Sequence, residues 1–209
     1  SQFQGQKVIL GVDRLDYTKG VRHRLLALEK LLEMHRDWKR KICLLQVIVP
    51  SRTRVSEYQR MKREVDELVG RINGRFAEEG WTPIHYMYRS ISPEQLVAYY
   101  RYADIALITP LKDGMNLIAK EYIASKVNNE PGVLILSEFA GTASEFKEAI
   151  IVNPYHVEGV AEAIHLALQI TPDEARRQIT ALKKRLLNHT IYHWLKQNFA
   201  RLGEKQQKA

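Results

Sequence analysis

A chain of 209 residues, 45% hydrophobic and 27% charged, has the make-up of one large globular domain or two small ones, which excludes a disordered or fibrous protein. No uncharged apolar run is long enough for a transmembrane helix and no signal segment is read at the start; the single cysteine, Cys43, excludes an internal disulfide and a cysteine-rich zinc site, so a cytoplasmic protein is expected. The formal charge of +8 raises nucleic acid as a partner, but the basic residues fall in short separate groups at 39–41, 52–54 and 183–185 without interleaved aromatics, which suits small anionic ligands and solvated helix faces better.

Hydrophobic periodicity alternates along the chain. Short runs rich in Val, Ile and Leu predict strands over 8–12, 42–49, 84–88, 105–109, 133–137 and 150–152. Between them, helical spacing predicts helices over 21–35, 57–76, 93–101, 116–125 and 159–169. Ser92 and Pro93 supply a cap and a first helical position, and Gly74 is expected to cap the helix that ends at Phe76. After Pro172 only helical patterns follow. This alternation defines an α/β fold, a doubly wound parallel sheet of Rossmann-like type. Residues 1–170 are read as the sheet domain and 171–209 as its C-terminal helical extension, with the last residues, 203–209, frayed.

The first strand runs into Val12-Asp13-Arg14-Leu15-Asp16-Tyr17-Thr18-Lys19-Gly20. Two fixed cations, Arg14 and Lys19, therefore occupy a strand-to-helix loop, with Gly20 at the helix entrance. Ligands of open α/β sheets bind at such corners, and cations beside a helix N-terminus suit a phosphate. No G-x-G-x-x-G follows the strand, which weighs against a nicotinamide dehydrogenase.

A second such loop is Thr109-Pro110-Leu111-Lys112-Asp113-Gly114-Met115-Asn116-Leu117-Ile118. Asp113 and Gly114 lie at its turn, the helix is expected to start at Met115 or Asn116, and the amides of residues 114–118 would face an anion. Glu121 lies eight positions beyond Asp113, about 12 Å along a helix. That spacing is too long for a shared proton and suited to the two ends of an extended ligand. Taken singly, Asp113 reads as an N-cap and Glu121 as a solvated carboxylate; with Arg14 and Lys19 on the same sheet edge the ligand reading is the better one. The small loop Ser137-Glu138-Phe139-Ala140-Gly141-Thr142-Ala143 is a third candidate, with a plain tight turn as its rival. The run 51–54 reads as a solvated helix start, and His193-Trp194 as packing. The seven histidines form no H-E-x-x-H motif, so no metal is expected.

The segments GVDRLDYTKG, GRINGRF, WTPIHY, TPLKDGMNLIAKEY and GVLILSEFAG, in this order, resemble the trehalose-6-phosphate synthases, retaining glycosyltransferases built from two Rossmann-like domains. The resemblance covers about residues 8–154 and identifies the C-terminal, donor-binding domain. It implies transfer of glucose from UDP-glucose to glucose-6-phosphate. It also implies that Arg14 and Lys19 bind the donor diphosphate and that Asp113 contacts the donor glucose, which makes these three the catalytic candidates. The backbone of Asn116, Leu117 and Ile118 would lie against the diphosphate, joining the loop amides of Gly114 and Met115 as donor contacts, Glu121 would hold the ribose hydroxyls, and Ile91, with Arg89 and Ser90, would lie by the uracil. Lys112 stands where arginine is usual and keeps the charge without the fork; Thr142 and Phe146 also depart from the pattern.

The family's acceptor site belongs to an N-terminal domain that this sequence does not contain. The chain alone is thus expected to bind UDP or UDP-glucose but not to turn over, with glucose-6-phosphate engaged only through that absent domain. No cofactor, nucleic acid or membrane is expected, and a homo-oligomer is compatible with the full-length protein. The alternatives are the donor domain of a glucosylglycerol-phosphate synthase and a non-catalytic nucleotide-sugar-binding module.

Overall fold

A computed structural model of the chain describes residue 3 and residues 5–188. Six strands form one sheet: β1 (Lys7–Arg14), β2 (Ile42–Val49), β3 (Ile84–Tyr88), β4 (Ile105–Ile108), β5 (Val133–Ser137) and β6 (Ile150–Val152). Their order is β3-β2-β1-β4-β5-β6, and all adjacent pairs are parallel. The order reverses between β1 and β4, where Ile9 pairs with Ile105 and Leu10 with Ala106. Such a reversal opens a crevice at the carboxyl ends of the two strands.

Both faces of the sheet are covered, so the strands read as largely apolar runs. On one face Ile9, Leu44, Ile105 and Ile135 meet α1 (Val21–Met34), α2 (Ser56–Phe76) and α5 (Val157–Gln169). On the other, Leu10, Leu45, Ala106 and Leu134 meet α3 (Pro93–Tyr102), α4 (Leu117–Ser125) and α6 (Pro172–Asn188). Alternate residues of β1, β2, β3, β4 and β5 thus serve opposite cores. Ile179 and Leu182 of α6 are buried in the second of these; the segments at 193–194 and 203–209 lie outside the described residues. Cys43 is buried on the same face, and burial, assisted by the negative charge of Asp104, pushes its thiol up to about 12.

The element ends show where tertiary contacts override local signals. β1 continues through Asp13 and Arg14 because they pair with Ile48 and Val49. Gly74 does not cap α2. The helix runs past it to bury Phe76 and ends at Ala77, whose amide donates to the Asn73 carbonyl. The Asn73 side chain meanwhile exchanges two hydrogen bonds with the backbone of Ile84, tying α2 to β3. α3 has the expected Pro93 at its start and a capping box between Ser92 and Gln95.

Candidate functional site

Beyond β1 the chain buries Leu15 and then turns through a single 3-10 turn, Tyr17–Lys19. Asp16 caps that turn: its Oδ1 accepts from the Thr18 amide at 2.9 Å and the Thr18 hydroxyl at 2.8 Å. Burial works to raise the Asp16 pKa, but these two bonds with the charges of Lys19 and Arg14 outweigh it and hold the carboxyl below its usual range. Gly20 follows at φ +67° and opens α1. Only glycine suits this position, because φ is left-handed and a Cβ would overlap the Thr109 carbonyl oxygen.

The two loops are joined by main chain. The Thr18 carbonyl accepts from the amides of Leu111 at 2.7 Å and Lys112 at 3.3 Å. Above this seam Lys19 Nζ donates to Asp113 Oδ2 at 2.7 Å, and both side chains are mostly buried. The third loop closes on the same residue: the Asp113 amide donates to the Phe139 carbonyl, and the Gly141 amide donates to the Asp113 carbonyl. Here too a side chain is excluded, since a Cβ on Gly141 would overlap the Gly114 carbonyl oxygen. The structure therefore gathers the corners after β1, β4 and β5 at one point on the sheet edge.

The start of α4 differs from the sequence expectation. Asp113 is not its N-cap, and the helix begins at Leu117. The cap is Asn116, in left-handed backbone at φ 69°, with its Oδ1 accepting from the Ala119 amide at 3.0 Å. Asp113 instead folds back over the turn. Its Oδ1 accepts from the amides of Met115 at 3.3 Å and Asn116 at 3.1 Å, and its Oδ2 accepts from Asn116 Nδ2 at 3.1 Å as well as from Lys19. Burial raises the Asp113 pKa, and these donors together more than reverse it, so the carboxyl lies below its ordinary 3.8. Two of the five amides expected to face an anion are thus taken by Asp113. Those of Leu117 and Ile118, in the first turn of α4, have no acceptor among the described residues. Because Asp113 is off the helix, the helical rise does not measure its distance to Glu121.

The remaining expected residues occupy the end of β1, the segment after β3 and the start of α4. Arg14, the last residue of β1, is exposed and has no ion-pair partner among the described residues. Gly114, Met115 and Leu117 are exposed, and Ile118 is half-buried against the second core. Ile91 lies between β3 and α3 and packs on that same core. Glu121, on the next turn of α4, is exposed and accepts from the Tyr100 hydroxyl at 2.9 Å. Arg52 in the 51–54 run adopts φ 47° and donates to the Tyr58 hydroxyl at 3.3 Å, ahead of α2 rather than inside its first turn.

Sequence reasoning missed a buried polar network under the strand reversal. Arg24 of α1, 1% exposed, donates to Asp13 Oδ2 at 2.7 Å, Gln46 Oε1 at 3.1 Å and Thr109 Oγ1 at 3.3 Å. It so connects the ends of β1 and β4 with β2. Burial raises the Asp13 pKa against the opposing pull of Arg24. Gly11 makes room for the network, because a Cβ there would stand 2.5 Å from both Arg24 Nη1 and Gln46 Oε1. The signals were available: Arg24 falls on the apolar stripe of Val21, Leu25 and Leu28, and Gln46 interrupts an apolar strand. A charge on a core face implies a buried partner.

A parallel sheet of this order, with helix amides unpaired among the described residues and an exposed arginine and a lysine at its reversal, defines a Rossmann-like domain suited to a phosphorylated ligand. The chain belongs to glycosyltransferase family 20, whose sequence model matches residues 1–204. It is 48% identical over 192 residues to alpha,alpha-trehalose-phosphate synthase [UDP-forming] A of Dictyostelium discoideum, which covers 92% of this chain and 26% of the relative. It is 44% identical over 201 residues to trehalose-6-phosphate synthase of Mycolicibacterium vanbaalenii, covering 96% of this chain and 41% of the relative. Among solved structures, the Escherichia coli protein bound with UDP-2-fluoro glucose superposes with a TM-score of 0.91 at 39% identity, over 96% of this chain and 45% of that one. The alpha,alpha-trehalose-phosphate synthase of Burkholderia xenovorans in complex with glucose-6-phosphate gives 0.90 at 40% identity, over 96% of this chain and 44% of that one. The chain thus spans less than half the length of each of these relatives. The expected resemblance and the expected fold are both borne out. Among the described residues, no helix is long and apolar enough to cross a membrane.

Proposed function

We propose that this chain is the donor-binding part of a retaining glucosyltransferase that forms trehalose-6-phosphate from UDP-glucose and glucose-6-phosphate. The observation that carries the reading is the meeting of three strand-end loops at Asp113, beside the uncapped amides of Leu117 and Ile118. Two relatives hold a UDP-sugar analogue or glucose-6-phosphate, which supports the same ligands here. Residues 1–170 form the donor unit in this reading and 171–209 its extension, supported by the burial of Ile179 and Leu182 of α6. The cytoplasm is its proposed location.

The chemistry follows from the charges. When the bond between glucose C1 and the phosphate oxygen breaks, its electron pair stays on the leaving UDP. Arg14, Lys19 and the two helix amides would meet that charge with donors already oriented. Lys19 has a second partner in Asp113, so donor binding would draw its ammonium from the carboxylate toward the diphosphate. Asp113 would keep its three other donors, and the lone pair of Oδ2 that Lys19 vacates would accept from a glucose hydroxyl. In a retaining transfer the acceptor attacks from the face the UDP leaves. Arg14, Lys19 and Asp113 are the catalytic residues of this scheme; residues 114–118, Glu121 and Ile91 bind the donor.

Calorimetry with UDP and uridine tests the reading. Wild type should bind UDP, and Arg14→Ala or Lys19→Ala should weaken UDP by roughly tenfold or more, in keeping with charge-assisted bonds, while leaving uridine nearly unchanged. Absence of any UDP binding, or equal losses for both ligands, would overturn it.

A further inference from the structure

We propose that Tyr100 is a positioning residue for nucleotide recognition: its buried hydroxyl fixes the Glu121 carboxylate in the orientation that takes a vicinal pair of ribose hydroxyls. The inference rests on the donor site proposed above and goes one step past it, to a residue that touches no ligand.

Glu121 is a flexible, exposed side chain on the second turn of α4. Glutamate has much rotamer freedom to lose on ordering, so an exposed one makes a poor grip unless something holds it. Tyr100 holds it. Its hydroxyl donates to Glu121 Oε2 at 2.9 Å, while Tyr100 itself is 1% exposed. The phenol is held in turn. Its ring stands edge-on to Tyr122, centroids 6.4 Å apart, and the Tyr122 hydroxyl lies 3.4 and 3.3 Å from the carbonyls of Ala103 and Asp104 as their donor. Lys126 ties the same segment with bonds from Nζ to the carbonyls of Arg101 and Ala103. The end of α3 and the body of α4 are thereby one rigid frame, and the phenol presents a fixed donor at its surface.

One hydrogen bond to Oε2 leaves Oε1 and the second lone pair of Oε2 available. A carboxylate so oriented can accept from two adjacent cis hydroxyls, as a ribose 2′,3′-diol presents them. Burial, with the Glu121 charge beside it, raises the Tyr100 pKa, so the phenol remains a donor at neutral pH.

The test compares UDP with 2′,3′-dideoxy-UDP on the same full chain by calorimetry. The ratio of the two affinities measures diol recognition. In Glu121→Ala this ratio should collapse toward one; an unchanged ratio there would overturn the proposed role of Glu121 and the assignment of Tyr100 with it. Tyr100→Phe should lower the ratio roughly fivefold through UDP alone, with dideoxy-UDP unaffected. It should have no further effect in the Glu121→Ala background. Equal weakening of both ligands by Tyr100→Phe would show a packing role only and overturn the proposal while leaving the Glu121 role intact, as would no change at all. Phenylalanine keeps the buried ring and returns the carboxylate to water, so the variant should fold. Glu121→Asp gives an independent check: it withdraws the carboxylate from the phenol by one methylene and should lower the ratio in the same way.

Discussion

Asp113 concentrates the electrostatics of the site in one side chain. Four donors, from Lys19, Asn116 twice and Met115, hold it in the charged form against the cost of its burial. Its folded pKa is depressed, so the stability it contributes is fully present above the ordinary carboxylate value and is lost as pH falls through the lower folded value. The loop junction should therefore stay intact at pH 5 and loosen only below the ordinary 3.8. Carboxyl NMR titration should give a midpoint below 3.8 for Asp113, moving upward in Lys19→Ala; a midpoint indifferent to Lys19 would contradict the ion pair. Arg24 poses the opposite case, a charge with hardly any solvent. Removing one partner of a buried pair leaves the other uncompensated. Arg24→Ala should cost about 3–5 kcal/mol by that mechanism, read by urea denaturation; a loss under about 1 kcal/mol, the scale of an exposed pair, would contradict the network. Arg14 and Lys19 stood out in the sequence as candidates because a cation just past an apolar run has few structural uses. Arg24 was marked by its place on an apolar stripe, but its pairing was not legible, because its partners Gln46 and Thr109 lie 22 and 85 residues away.

The elements themselves were legible almost throughout. The inner strands β1, β2, β4 and β5 are largely apolar runs buried on both faces, and each intervening helix has one apolar stripe, so local pattern and global fold agree. What local pattern could not supply is where a loop is needed by another loop. The start of α4 moved to Leu117 because Asp113 serves Lys19 and two turn amides instead of capping, and Asn116 took a left-handed backbone to cap in its place. Gly20 and Gly141 belong to the same constraint, each lying against a carbonyl oxygen of the β4–α4 loop region. Gly20→Ala carries two penalties, left-handed backbone and overlap with Thr109, and Gly141→Ala carries one. Both should weaken UDP by disturbing the junction, Gly20→Ala the more, and should lower stability by about 1–3 kcal/mol, the usual cost of strain and overpacking. Gly74→Ala is the control. Gly74 lies inside α2 with open space at its Cβ, and alanine there should stabilise the chain by up to about 1 kcal/mol. Wild-type UDP affinity in both loop variants would mean that the three corners do not share a ligand.

At the scale of the molecule, the strand reversal joins the loops of Lys19 and Asp113 at the carboxyl ends of β1 and β4, and several large apolar side chains remain uncovered in loops at strand ends. Tyr17, Met115, Leu117, Phe139 and Tyr155 are each more than 40% exposed, and all follow the carboxyl ends of strands. A single sheet can hold a diphosphate against its rim, but it leaves the opposite side of that ligand open to water. Glucosyl transfer needs an acceptor oriented against the donor carbon, and orientation supplies much of the rate; it also needs water excluded, or hydrolysis competes. The relatives devote more than half their length to residues outside the matched stretch. We therefore expect this chain to bind UDP-glucose and to form no detectable trehalose-6-phosphate by itself, as measured with radiolabelled donor and glucose-6-phosphate. Slow release of free glucose would be compatible with that expectation, since it needs only bond cleavage and a water. Robust disaccharide formation by the chain alone would show instead that the acceptor binds on this rim, against the exposed Tyr17 and Phe139, and that the donor half carries a complete catalytic site.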